Sequence, residues 1–324
     1  MTISRILAKI KLAKNIAIFT HRNPDPDAYG SVFAMREMCK QLNVNADIFA
    51  IKNKAGYLDC IFPLGELKTD FKSENYDLVI VLDLHLLKRL APEFIDEVSK
   101  SKNIIVIDHH AVMEGDGAMS KNCLIYENYA ATCEILTDFA VENGLKITPT
   151  IATYLYTGLM GDTDRFLHNN LSKHVFEVAM LLYDKKADVQ KVYDYLYRYT
   201  TKQQLDIYRF MLDNMVYTQG GKGAYVIFTI KDLEDMKADQ EAVKIYTNDM
   251  VKIKGVELSF MCIEYKKNFF KFSLRSNNNI NTLRFSTKMG GGGHLCASAF
   301  ETDISKRQLQ KVLPKWIKEI LNGK

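Results

Sequence analysis

No apolar run in this 324-residue chain approaches the ~20 residues that a membrane-spanning helix needs, so no membrane partner is expected. The six cysteines (Cys39, Cys60, Cys123, Cys133, Cys262, Cys296) are scattered and contain no C-x-x-C. That argues against a disulfide framework or a thiolate zinc site, and for reduced thiols in a cytoplasmic protein. Charge of one sign is also scarce. A net charge of +4 is too mild for a protein that coats nucleic acid, yet it admits an acidic ligand. Internal repeats and low-complexity segments are missing, and Lys9, Lys11 and Lys14 break any signal-peptide core. What is present is ordinary for a globular chain of about two domains: 47% apolar and 25% charged residues.

Apolar runs at Ile16–Phe19, Asp47–Ile51, Leu78–Leu82 and Ile104–Ile107, with a shorter one at Cys123–Tyr126, alternate with helical patterns. Those patterns include an amphipathic opening helix (Ile3, Ile6, Leu7, Ile10), Ser31–Leu42 and Leu86–Ser99. The alternation predicts an α/β domain, a parallel sheet with helices on both faces. Helices follow at Ala131–Glu142, Pro149–Met160 and Ser172–Tyr183. Residues 188–218 read as a tyrosine-rich helical linker without a strand. Beyond it, strands are expected at Ala224–Ile230, Val256–Glu264 and Phe269–Leu274, then a glycine loop at Gly290–Gly293 and a closing helix at Lys306–Leu321. The expected organisation is therefore a domain over 1–187, a linker over 188–218 and a smaller α/β domain over 219–324.

The most concentrated chemistry lies in HRNPDPDAYGS, from His21 to Ser31. One imidazole and two carboxylates (His21, Asp25, Asp27) fall directly after a strand, where open α/β sheets bind ligands. Pro24 and Pro26 restrict the backbone, so both aspartates are expected on a stiff loop rather than a helix. Imidazole and carboxylate without thiolate suit Mn²⁺, Mg²⁺, Fe²⁺ or Zn²⁺. Three more element ends carry similar groups: Asp83 after Leu78–Leu82, Asp108-His109-His110 after Ile104–Ile107, and Asp162 through Phe166 after the helix to Met160. Two adjacent divalent ions need roughly six to eight hard ligands, one of them bridging. His21, Asp25, Asp27, Asp83, His109 and Asp162 supply six, with Asp83, on a middle strand, as the bridge. His110 and Arg165 are placed to meet charge on phosphoryl oxygens.

The order HxxPDxDxxGS, strand-end Asp, DHH and GDTxRF resembles the DHH phosphoesterase superfamily. The late GGGH, with Ser298 behind it, resembles the second domain of the DHHA1 subfamily. In length the chain is similar to the stand-alone branch that degrades nanoRNA and dephosphorylates 3′-phosphoadenosine-5′-phosphate. The resemblance implies two Mn²⁺ ions, with Mg²⁺ as substitute. It assigns His21, Asp25 and Asp83 to one ion, and Asp27, Asp83, His109 and Asp162 to the other. It implies that Asp108 orients the histidines and that His110 contacts the scissile phosphate. Asp164 stands where the branch usually has Gly, and two readings stay open: its carboxylate repels substrate or alters metal affinity beside the site, or it points to solvent.

Strand alternation sets Lys271, Ser273 and Arg275 on one face, where Arg275 suits a phosphate. Gly291, Gly292 and Gly293 offer backbone N–H groups to an anion, and His294 offers a donor or a stacking face. By resemblance, SxRS, GGGH and Ser298 form the substrate end. The expected substrate is short single-stranded RNA, on the order of two to five nucleotides, or a nucleotide, held between the domains. Two other readings stand beside this one: hydrolysis of linear di-adenylate, and a non-catalytic nucleotide-binding module. The sequence leaves monomer and homodimer both open.

Overall fold

A computed structural model describes residues 2–52, 57–112, 119–167, 170–277 and 280–323, apart from the side chains of Tyr57 and His294. The chain divides into two compact units, Met1–Tyr199 and Thr200–Lys324.

In the first unit five parallel strands, β1 (Asn15–Phe19), β2 (Asn45–Phe49), β3 (Leu78–Leu82), β4 (Ile104–Asp108) and β5 (Cys123–Ile125), pair in the order β2-β1-β3-β4-β5. The chain steps from β1 outward to β2, then returns to β3 on the other side of β1. That reversal opens a crevice beyond the C-terminal ends of β1 and β3. Alternation along β1 splits the core in two. Ile16 and Ile18 pack with α1 (Ile3–Leu12), α2 (Pro26–Gln41), α4 (Thr132–Glu142), α5 (Pro149–Asp162) and α6 (Lys173–Asp184). Ala17 and Phe19 pack on the opposite face with Phe49, Phe71 and the α3 (Pro92–Ser99) residues Phe94 and Val98. Helices thus cover both faces, and the middle strand β3 is buried along its whole length. A short helix, α7 (Val189–Tyr193), and a π-helical turn over Asp194–Arg198 close the unit.

Helices α2 and α5 meet at glycines. A Cβ on Gly158 would lie 2.6 Å from Asp27 Oδ1 and 3.0 Å from Asp27 Cα. Gly158→Ala is therefore expected to push α5 away from α2, costing about 1–3 kcal/mol and displacing Asp27. A denaturant midpoint within error of wild type would refute this.

The second unit is a six-stranded mixed sheet. Its strands β6 (Val216–Thr218), β7 (Gly223–Phe228), β8 (Leu258–Lys266), β9 (Phe269–Ser276), β10 (Gly292–His294) and β11 (Ala297–Asp303) run in the order β10-β11-β9-β8-β7-β6. Only β7 and β8 pair in parallel. Helix α12 (Lys306–Asn322) packs Leu309, Leu313 and Ile317 on one face with Phe270, Phe272 and Leu274. The opposite face is covered from α8 (Lys202–Asn214), α9 (Ile230–Asp235) and α10 (Gln240–Lys244) through Ile207, Met211, Leu233 and Val243. A short α11 (Thr282–Lys288) precedes β10.

Four expectations need correction. Helix α2 begins at Pro26, not Ser31: Asp25 caps it and Pro26 takes its first position. Asp27 therefore sits in a helical turn, not a loop. Strand β2 runs Asn45–Phe49 rather than Asp47–Ile51, because its ladder aligns Asn45 with Asn15 and Phe49 with Phe19. The stretch expected to be strand-free contains β6, which ends the second sheet. The glycine run is not simply a loop: Gly292 and Gly293 lie in β10, against Ala299 and Ser298. Gly293 has φ +138, and a Cβ there would lie 2.6 Å from Ser298 Cα, so only glycine permits that pairing.

Candidate active site

Each expected ligand emerges where a buried element ends. The ladder aligns Phe19 with Val81, so His21 beyond β1 and Asp83 beyond β3 arrive side by side. His21 Nε2 is 3.2 Å from Asp83 Oδ2 and 3.6 Å from Asp25 Oδ2. Asp25 uses its other oxygen as the helix cap, accepting from Asp27 N and Ala28 N at 3.0 Å each. Asp27 is fully buried. Its two oxygens accept from Thr132 N (2.7 Å) and Cys133 N (3.0 Å), at the N-terminus of α4, where free amides and the helix dipole favour an anion.

Asp83 has φ +65, an uncommon conformation for a non-glycine residue. It aims its two oxygens in different directions. Oδ2 faces His21, while Oδ1 lies 3.5 Å from His109 Nε2 and accepts from Thr132 Oγ1 at 3.3 Å. His109 Nε2 is 3.1 Å from Asp162 Oδ2, at the last turn of α5. Ligand-capable atoms of His21, Asp25 and Asp83 thus form one cluster, and those of Asp27, His109 and Asp162 a second, each within 4.8 Å. A third grouping joins Asp83, His109 and His110. Asp83 spans the two main clusters.

The electrostatics follow from crowding carboxylates in a dry site. Burial would lower His21, but hydrogen bonds to Asp25 and Asp83 raise it to about 10. The same contest, with Asp162 and Asp83 as partners, raises His109 to about 12. Burial pushes Asp162 up to about 6 and holds Asp27 well above the carboxylate range, with neighbouring carboxylates adding to both. Asp83 moves the other way: hydrogen bonds from His109 and His21 outweigh its burial. Such opposed shifts arise where carboxylates are crowded in a dry site, a strain that bound cations would relieve. His109 is turned to serve such a cation: its Nδ1 faces the Tyr129 carbonyl at 3.3 Å, and its Nε2 points at Asp162 and Asp83.

Asp108 lies just behind the ligands, fully buried. Its Oδ1 accepts from His109 N (2.8 Å), His110 N (3.2 Å) and His110 Nδ1 (2.8 Å). Its Oδ2 is 2.6 Å from His85 Nδ1. Burial is overcome by His110 and His85, and the carboxyl falls to about 2. Asp108 therefore orients His110 through Nδ1, which turns Nε2 of that ring away from the carboxylate. His85 was not foreseen, although Asp83-Leu84-His85 shares one strand end. Also unforeseen were Tyr129 and Thr132, which act largely through backbone groups that any residue carries.

Arg165 belongs to a local stack. Its Nη2 is 3.1 Å from Asp164 Oδ1, and its guanidinium lies 4.6 Å from the centre of the Tyr197 ring. Asp164 pairs with that arginine instead of pointing free to solvent. Its φ of +42, followed by +62 at Arg165 and +64 at Phe166, explains why a glycine suits position 164.

In the second unit Lys271, Ser273 and Arg275 do alternate with buried residues. Arg275 Nε donates to Asn248 Oδ1 at 2.7 Å, and Nη1 to the Leu274 carbonyl at 2.9 Å. Ser298 is buried and spends its hydroxyl on Thr282 and Ser286, tying β11 to α11. Gly291 and Gly292 approach or join the β11 edge. The side chain of His294 lies outside the described residues.

The family profile "DHH family, N-terminal domain" matches residues 15–159, and "DHHA1 domain" matches 220–322. The chain is 29% identical over 322 residues to the bifunctional oligoribonuclease and PAP phosphatase NrnA of Mycoplasma genitalium. That match covers 99% of this chain and 98% of the relative. Among solved structures, an exopolyphosphatase-related protein from Bacteroides fragilis superposes with a TM-score of 0.90 at 22% identity, covering 98% of this chain and 95% of that one. RecJ from Thermus thermophilus in complex with Mn²⁺ superposes at 0.58 and 12% identity, over 98% of this chain and 53% of that one. Both superpositions speak to fold. No helix among the described residues is long and apolar enough to cross a membrane.

Proposed function

The chain belongs to the DHH family and carries a DHHA1 domain, and from that premise we propose a two-metal phosphoesterase for short oligoribonucleotides and 3′-phosphoadenosine-5′-phosphate. That it is a phosphodiesterase or phosphatase follows from the family and from its NrnA-named relatives. The finer substrate assignment rests on the names of those relatives and on the near-complete overlap with them. Manganese is supported by the all-N/O donor set and by the Mn²⁺ in the RecJ structure.

One observation carries the reading: the two oxygens of Asp83 face separate clusters, as a bridging carboxylate requires. His21, Asp25 and Asp83 would hold one ion, and Asp27, Asp83, His109 and Asp162 the other. Bound there, two divalent ions would activate a water and neutralise phosphoryl charge. The protein's own groups do the rest. Asp108 fixes the His110 ring so that Nε2 can hold a proton for the leaving oxygen. Arg165, held by Asp164 and Tyr197, would offer its remaining guanidinium N–H donors to the phosphoryl oxygens. In the second unit Arg275, Ser273, Gly291, Gly292, Gly293, His294 and Ser298 are proposed to recognise or shape the nucleotide end.

The test is a time course on end-labelled RNAs of two to ten nucleotides beside 3′-phosphoadenosine-5′-phosphate, with Mn²⁺ and with chelator. Mononucleotide release from the shortest RNAs, abolished by chelator, is expected. Exclusive cleavage of linear di-adenylate would replace the substrate assignment, and tight nucleotide binding without turnover would replace the enzyme reading. His294→Ala is expected to leave hydrolysis of bis-p-nitrophenyl phosphate unchanged while raising KM for a diribonucleotide about tenfold. Equal losses on both substrates would make His294 structural.

A further inference from the structure

His174 lies in α6, outside the ligand set, and its two ring nitrogens face two carboxylates of α4. Nδ1 is 2.6 Å from Glu134 Oε1, and Nε2 is 3.2 Å from Asp138 Oδ1. An ionised carboxylate only accepts, so the ring donates from both nitrogens, as imidazolium. Each carboxylate passes that hold onward. Glu134, buried, accepts from Ala130 N through Oε2 at 2.6 Å. Asp138 accepts from the Tyr129 hydroxyl through Oδ2 at 2.7 Å.

Residues 129–133 touch three of the candidate ligands. The Tyr129 carbonyl lies 3.3 Å from His109 Nδ1. Thr132 N and Cys133 N donate to the two oxygens of Asp27. Thr132 Oγ1 donates to Asp83. Asn170 donates to both the Ala130 and the Asp162 carbonyls, at 3.3 and 3.2 Å. One short segment therefore orients groups from both clusters, and its start is held through Glu134 and Asp138 by a single imidazole.

We infer that His174 is a positioning residue of the metal centre: by bridging Glu134 and Asp138 it locks residues 129–133, which aim His109, Asp27 and Asp83. The alternative is a plain tie between α4 and α6. Those helices already share an apolar contact through Val175, Val178 and Leu182, buried among the α4 residues of the same core. The His174 side chain is 38% exposed but Glu134 is buried, so losing the ring also costs stability by leaving a buried carboxylate without its partner. Its larger consequence is the aim of the segment it holds.

This inference rests on the metal-centre reading, and the experiment separates the two. Mn²⁺ binding to the full-length protein, without substrate, is measured by calorimetry for wild type and His174→Ala, beside the thermal midpoint of the metal-free forms. The Mn²⁺ dissociation constant is expected to rise about 10- to 100-fold, the range for losing a group that orients a ligand, while the midpoint falls because buried Glu134 loses its partner. Tyr129→Phe removes only the hydroxyl link and keeps the carbonyl, so a smaller rise is expected. The double variant should weaken binding no further than His174→Ala alone, since both act along one path. Unchanged Mn²⁺ affinity in His174→Ala, whatever its midpoint, would overturn the role, and additive effects would overturn the shared path. If His174→Ala does not fold, Tyr129→Phe with wild-type affinity overturns the role in its place. Wild-type protein that takes up no Mn²⁺ would instead remove the metal-centre reading itself.

Discussion

Asp83→Ala is expected to lower metal-dependent mononucleotide release by about a thousandfold or more, the scale of losing a shared ligand in a two-metal site. Asp83 sets one oxygen toward His21 and the other toward His109, so no neighbour replaces it. Its removal also leaves three imidazoles facing a site that has lost its central anion. Asp83→Asn separates chemistry from folding. It keeps the volume, and asparagine tolerates the positive φ better than alanine does. Both variants should lose activity, and the asparagine form should keep a cooperative melt. Turnover above a tenth of wild type in either one would sink the bridging assignment.

The second large effect concerns pH. In the metal-free protein His21 titrates at about 10 and His109 at about 12, so both rings carry their extra proton throughout the physiological range. Each must surrender a proton from Nε2 to become a ligand, so metal and proton compete. Affinity for each ion should therefore rise with pH from 6 to 9, with about one histidine proton released per ion bound and a further release at the second ion, where burial also holds Asp27 high. Calorimetry in two buffers of different ionisation heat counts those protons. A heat independent of buffer would refute the scheme. Asp162, raised to about 6, adds to the competition at the acid end. The stability of the metal-free fold has the opposite sign. A histidine whose folded value is raised stabilises fully below its unfolded value near 6.5, and that contribution disappears as pH climbs through about 10 and 12.

The parallel sheet was readable because strands buried on both faces spell unbroken apolar runs: Leu78–Leu82 agrees residue for residue with β3. The six ligand candidates were readable for a related reason. A single carboxylate or imidazole after such a run can be a helix cap, as Asp25 is, but their recurrence at several element ends of one sheet points to the crevice. Helix α2 was misplaced because two prolines suggest a loop, whereas proline at a first helical position is compatible with a helix and Asp25 caps it. Strand β10 was hidden because glycines carry no alternation to read. His85, Tyr129, Thr132 and His174 escaped for a deeper reason. They act on the ligands through Asp108, through main-chain amides and carbonyls, or through two intervening carboxylates, and none of those links leaves a spacing in the sequence.

The candidate ligands are strung from His21 to Asp162, with α2, β2, β3, α3, β4, β5 and α4 between them. On the ribosome, then, a growing chain that has finished β1 and β3 can present at most His21, Asp25, Asp27 and Asp83. The second cluster is complete only once α5 has emerged and docked against α2. A chain stalled before α5 therefore holds only the first cluster, so the two-ion centre proposed above would assemble late in the folding of the first unit.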